Sequence, residues 1–238
     1  MLWICLWPPF VYYAHIVNLA VQQFIKEIYD DAIGIDFNDF LTKIRTLAKG
    51  IRKSTLRLEK FQQSCKELNV KPRTIPLDIQ VRWNSMLHMI ESAIYLHKPI
   101  AHFLFNLSFD DDETPSRTDY AVRFHERCQL TDSEWDLLEV LYVFLLPFKS
   151  VTMHFESHNQ NPEIDYLFFA YNRMFNHIED VLFSLGLPEA LGRLESAPIF
   201  TGALQKMKGK LKKYYDKTKL NLLPLIMIWH LLFQKILY

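Results

Sequence analysis

The histidines of His154-Phe-Glu156-Ser-His158 stand four residues apart, the spacing that puts two imidazoles on one face of a helix where they can hold a metal. No third ligand falls in register with them, and the order is not that of a zinc protease, so the pair reads as a helix end and no metal is expected. GxSxG, phosphate-loop and HExxH patterns do not occur in the 238 residues. Carboxylates are plentiful, but no spacing singles out a catalytic pair. Cys5, Cys65 and Cys128 are far apart and odd in number, which excludes a zinc ribbon and argues against a disulfide framework. Their distribution suits a reducing compartment, cytosol or nucleus.

The chemistry that remains is electrostatic. The formal net charge is zero, yet the charges are sorted along the chain. Asp39 to Arg73 holds ten basic residues against three acids, a local +7 that includes Arg45, Lys49, Arg52, Lys53 and Arg57. Asp110 to Glu139 holds ten acids against three arginines, a local −7. Lys206 to Lys219 carries seven lysines, Lys210, Lys212 and Lys213 among them, against Asp216 alone, for +6. Like charges on one helix repel by a few tenths of a kcal/mol per close pair. Two such clusters fit a polyanion, whose phosphates exchange counterions for lysine and arginine without any reading of sequence. They equally fit the solvated faces of ordinary helices.

The elements that must position these residues are helical. Only 6 glycines and a hydrophobic half leave little room for hairpins or glycine-rich phosphate loops, and argue against disorder. Ile16, Leu19, Ala20 and Phe24 give one apolar stripe, from about Val11 to Tyr29. Ile44 to Leu68 repeats at threes and fours as one amphipathic helix, or two with a joint near Gly50 to Ser54. Pro72 and Pro76 make Asn69 to Gln80 an extended linker. A helix from about Asn84 to Phe105 is expected to kink at Pro99. The acidic run Ser108 to Ser116 reads as a loop. Thr131-Asp-Ser-Glu134 is a capping box opening a helix through Phe155, bent at Pro147. Pro162-Glu163 opens another, ending near Gly186. The first charged residue is Lys26, but Pro8-Pro9, His15, Asn18, Gln22 and Gln23 interrupt the apolar start, so no membrane segment or signal peptide is expected.

One stretch carries more information. Asp78-Ile-Gln-Val-Arg82-Trp83-Asn84-Ser85 resembles the D-x-x-T-R-W-N-S signature of hAT superfamily transposases. Tyr12-Tyr-Ala-His15-Ile-Val-Asn18-Leu-Ala-Val21 is similar to that family's C-x-A-H-x-x-N-L-x-V helix. Ser54 to Phe61 is similar to its S-x-x-R-x-x-x-F pattern, and Lys210 to Thr218 to its K-L-x-K-Y-Y-D-K-T segment. The four occur in the family's order. Tyr12 stands where the family has cysteine, Gln80-Val81 replace Pro-Thr, and Leu232-Phe233 replace an Asp-Pro or Asn-Pro element. Met1 to Phe10 matches nothing in the pattern.

The resemblance implies a mainly α fold: a helical array corresponding to the insertion domain of an RNase H-like transposase, with little or no sheet. It implies an unmatched apolar leader (1–10), a remnant helix of the RNase H-like core (11–35), a helical insertion-like domain (36–220) and an apolar tail leading back to the core (221–238). The family cuts DNA with three acids holding two divalent metals. None of the three has a counterpart here, so a truncated fragment is expected, with no enzyme activity and no cofactor. DNA is the implied partner, transposon ends in the family, and the nucleus the implied location, with the cytoplasm as alternative. In the family the motif tryptophan stacks on an extruded base and an arginine suits a phosphate, roles that fall on Trp83 and Arg82 beside Asn84. Trp83 equally reads as packing at the start of its helix, with Asn84 or Ser85 as cap. His15, Asn18 and Asp78 are read as structural. The apolar termini are expected to self-associate. The alternative function is a helical protein-interaction module or a non-functional relic.

Overall fold

The computed structural model describes residues 9–30, 37–78, 83–108, 115–157, 164–186 and 197–236. The leader up to Pro8, Arg82, the acidic run 109–114, His158 and the side chains of the tail from Asn221 lie outside the described residues. Among the described residues every regular element is a helix: α1 (Pro9–Asp30), α2 (Phe37–Lys53), α3 (Thr55–Glu67), α4 (Trp83–Tyr95), α5 (His97–Ser108), α6 (Pro115–Cys128), α7 (Asp132–Ser157), α8 (Ile164–Leu185) and α9 (Ala197–Ile236). The mainly α class read from the sequence is the class the chain adopts. The chain divides into two compact units, residues 33–146 and residues 1–32 with 147–238. The stretch 36–220 contributes to both, and the division falls within α7 at Pro147.

In the 33–146 unit, local chemistry sets each helix end. Ser54 takes extended backbone angles between α2 and α3, and its hydroxyl accepts the Arg57 N–H at 3.4 Å. The Ile44–Leu68 periodicity is therefore two helices jointed at Ser54. Asn69, at φ 54°, closes α3 in the left-handed region. Its N–H bonds the Lys66 carbonyl at 3.0 Å and the Val70 N–H bonds the Cys65 carbonyl at 2.9 Å, the paired closure of a Schellman motif. This turn, ahead of Pro72, sends the chain into the extended segment 70–78.

The expected kink at Pro99 is a break one turn earlier. Proline has no N–H and its ring collides with the carbonyl four residues back, here that of Tyr95. The chain ends α4 at Tyr95, turns at the buried Leu96 and restarts at His97, which leaves Pro99 in the first turn of α5. Ile100 N–H then bonds the Leu96 carbonyl at 2.8 Å. The capping box of α7 is formed as expected: Thr131 N–H bonds Glu134 Oε2 at 2.7 Å, and Glu134 N–H bonds Thr131 Oγ1 at 3.3 Å. Glu134 Oε1 also accepts from Lys43 Nζ at 2.7 Å, fastening the start of α7 to α2. Phe124 of α6 lies so close to α2 that a methyl group at Gly50 would overlap its ring.

In the other unit, α1 packs its stripe of Ile16, Val17, Ala20, Val21, Phe24 and Ile28 on α9. Phe24 meets Phe200 edge-on at 5.9 Å between centroids, and Tyr13 meets Phe155 at 5.7 Å. Each such side chain contributes about 1.5–3 kcal/mol on full burial. Tyr215 of α9 inserts among the α8 aromatics, 5.2 Å from Tyr171 and 5.9 Å from Phe175. Among the described residues α7 alone is long and apolar enough by length and composition to cross a membrane, a test that core helices of soluble proteins also pass, and 44% of its most apolar window is buried.

Candidate nucleic-acid interface

The basic residues of α2 divide into those that hold the fold and those that face solvent. Arg45 and Arg52 are seven residues apart, on one helix face, and both reach the extended segment. Arg45 Nε bonds Asp78 Oδ1 at 2.8 Å and Arg45 Nη2 bonds Asp78 Oδ2 at 2.6 Å, a two-pronged ion pair. Arg52 Nη2 donates to the Ile75 carbonyl. The contacts step backwards along the segment as they step forwards along α2, so the two run antiparallel. The side chain of Ile75, whose carbonyl is one of the two anchor points, is buried. Asp78, the leading residue of the hAT-like signature, is thus a structural anchor, and Arg45 is its counter-ion.

Arg57 is also engaged: Nη1 donates to the Gly50 carbonyl at 3.1 Å, and the guanidinium sits 4.8 Å from the centre of the Phe124 ring. Lys49 and Lys53 are exposed, as are Lys66 and Lys71, and none of these four ammonium groups has a carboxylate partner among the described residues. Arg73 packs over the Tyr95 ring at 3.8 Å. The free cations therefore come from the end of α2, from α3 and from the start of the extended segment.

Trp83 is the first residue of α4 and only 4% exposed. Of its two sequence readings, the geometry holds the packing one, because a buried indole offers no open face to a base. Asn84 and Ser85 lie inside the first turn and are not the cap. Asn84 Oδ1 is buried without a hydrogen-bond partner among the described residues.

The lysines of α9 belong to the other unit. Lys206 bonds the buried Glu27 of α1, Lys208 pairs with Glu179 at 2.7 Å, and Lys212 pairs with Asp216 at 2.9 Å along the helix. Lys210 and Lys213 have no carboxylate partner among the described residues. The Lys210–Thr218 motif is largely a packing device, with Leu211 and Thr218 buried and Tyr215 set into α8. On α1, His15 is exposed and Asn18 half-buried. Glu27 was not singled out from the sequence, although it falls on the apolar stripe three residues beyond Phe24. Gln23 Nε2 donates to it at 2.6 Å. Lys206, more than Gln23, holds its carboxyl below the usual carboxylate range although burial pushes the other way.

Of the two cysteines among the described residues, burial pushes the Cys128 thiol up to about 12 and raises Cys65 as well, which disfavours the reactive thiolate at both. His154 lies against the Tyr166 ring, 3.5 Å between centroids. Among the described residues no three His, Cys, Asp or Glu side chains converge as a metal site requires.

Residues 12–142 match the family described as the ZBED1 RNase-like helical domain. No curated protein and no solved structure matches the chain. The matched region takes in α1 from Tyr12 onward, α2 to α6, the extended segment with its Arg45–Asp78 anchor and the first part of α7, more than half of the residues. The chain belongs to the ZBED1 RNase-like helical domain family, a hAT-derived group.

Proposed function

We propose that this chain is a hAT transposase-like, transposon-derived domain that binds DNA through its phosphates and does not cut it. The observation that carries the reading is the set of exposed, carboxylate-free lysines Lys49, Lys53, Lys66 and Lys71 around α2, α3 and the extended segment. Lysine exchange for condensed counterions gives affinity for any duplex and a steep loss of it with salt. Asp78 of the signature and its counter-ion Arg45 build the platform, and the lysines meet the ligand. No catalytic acid falls on the motifs that carry the resemblance, so the reading includes no strand cleavage. It places the protein in the nucleus.

Fluorescence anisotropy with a short labelled duplex, over a series of salt concentrations, tests it. The combined Lys49→Glu, Lys53→Glu and Lys71→Glu protein should lower the salt slope by about 3, one for each lost phosphate contact. No binding at low salt, or an unchanged slope, sinks the proposal. Reproducible nicking of that duplex by the purified protein with Mg²⁺ or Mn²⁺ overturns its non-catalytic part.

A second reading, a helical protein-interaction module, rests on α7. Val140, Val143 and Leu146 follow one another at every third residue and are 42%, 61% and 36% exposed. A stripe of this kind suits a partner helix. Concentration-dependent sedimentation abolished by Val143→Lys would favour it.

A further inference from the structure

The 33–146 unit contains a cavity of about 140 Å³ between α2, α3 and the extended segment. Ile51, Leu58, Phe61 and Ile75 give it an apolar side, and Gln62 and Thr74 are among its polar lining. Its polar lining includes Arg52 and Arg73, both exposed, and no carboxylate lines it. A cavity of this volume takes one six-membered ring. Arg52 is held by the Ile75 carbonyl, which uses one of its five N–H donors. Arg73 has one face over Tyr95, while its N–H edge has no hydrogen-bond acceptor among the described residues. An arginine steadied on a ring with a free edge is preorganised for a planar anion, which it grips through two parallel hydrogen bonds.

We propose that this cavity is a binding site for a small free carboxylate that carries a ring-sized apolar group. The group fills the pocket formed by Ile51, Phe61 and Ile75, and the carboxylate meets Arg73, with Arg52 beside it. A small anion without an apolar group gains nothing from Ile51, Phe61 and Ile75, and the two guanidinium groups disfavour cations. The proposal is independent of DNA binding, since its ligand has one charge and its key residue, Arg73, is not among the lysines assigned to phosphates.

Ligand-observed NMR on the full chain, with phenylacetate as probe, tests the site. Saturable binding with a dissociation constant of about 1 mM or tighter is expected. The neutral analogue 2-phenylethanol and the ringless anion acetate should each bind at least about tenfold more weakly. Arg73→Gln, an exposed substitution, should cost phenylacetate about tenfold while leaving 2-phenylethanol and the circular dichroism spectrum unchanged. Ile51→Trp should fill the pocket and abolish binding of both aromatic probes. The proposal is overturned if phenylacetate fails to saturate, if 2-phenylethanol binds equally well, or if Arg73→Gln leaves phenylacetate affinity intact.

Discussion

Arg45 and Asp78, thirty-three residues apart, meet in a two-pronged ion pair that fixes the extended segment along α2. The Asp78 side chain is 8% exposed and that of Arg45 26%, so solvent screens the pair only in part. Removing one partner strands the other's charge, which costs more than the intact pair contributes. Asp78→Ala should destabilise the 33–146 unit by about 1–3 kcal/mol in urea unfolding. The double replacement Arg45→Met with Asp78→Leu should recover part of that loss. A double variant as unstable as the sum of its singles would show that the two residues act separately.

Glu27 makes stability depend on acidity. Its carboxyl is held below the reference value of 4.5, first by the hydrogen bond from Lys206. A depressed folded-state value means the unfolded chain binds the proton more tightly, so the contribution is complete above 4.5 and is lost as pH falls through the lower folded value. Melting temperature should therefore fall more steeply below that pH in the parent protein than in Glu27→Gln. Parallel curves for the two proteins would remove Glu27 from the account.

Asn69 occupies the left-handed turn that closes α3. A β-branched residue there meets its own backbone, at roughly 1–2 kcal/mol, whereas glycine does not. Asn69→Val should lower stability by about that amount and Asn69→Gly should not. Equal melting temperatures for the two variants would contradict the assigned closure.

Two helical glycines should respond to alanine with opposite signs. At Gly50 the added methyl overlaps the Phe124 ring, so Gly50→Ala should cost about 1–3 kcal/mol. At Gly209 of α9 the methyl meets nothing within 4 Å, and Gly209→Ala should stabilise by about 0.5–1 kcal/mol through the helical preference alone. Chemical denaturation of the pair decides both signs.

What could be read from the sequence was whatever is fixed within a few residues. Thr131 and Glu134 announce their helix start because both halves of the box are local, and Ser54 marks its joint for the same reason. Pro99 announced a disruption, but the collision acts four residues back, which moved the break to Leu96. Helix α6 was not read as a helix, because its buried Phe124 and Cys128 sit among charged residues that blur the period. The basic cluster was legible as a count. Its division into anchors and free lysines was not, since Asp78, the Ile75 carbonyl and Glu134 reach Arg45, Arg52 and Lys43 only after folding. Trp83 was left open because a tryptophan next to an arginine looks the same in sequence whether it is buried or bare.

The discontinuity of the unit that joins residues 1–32 to 147–238 bears on the order of assembly. The apolar stripe of α1 is covered by α9, through contacts such as Phe24 with Phe200. During synthesis α1 leaves the ribosome before α9, and this covering helix follows only after the whole 33–146 unit has emerged. Closing so long a loop is entropically expensive for a flexible chain and cheaper once the intervening residues have collapsed. Helix α1 therefore waits for a partner made much later, and a delay in folding 33–146 prolongs the exposure of its apolar stripe to other nascent chains.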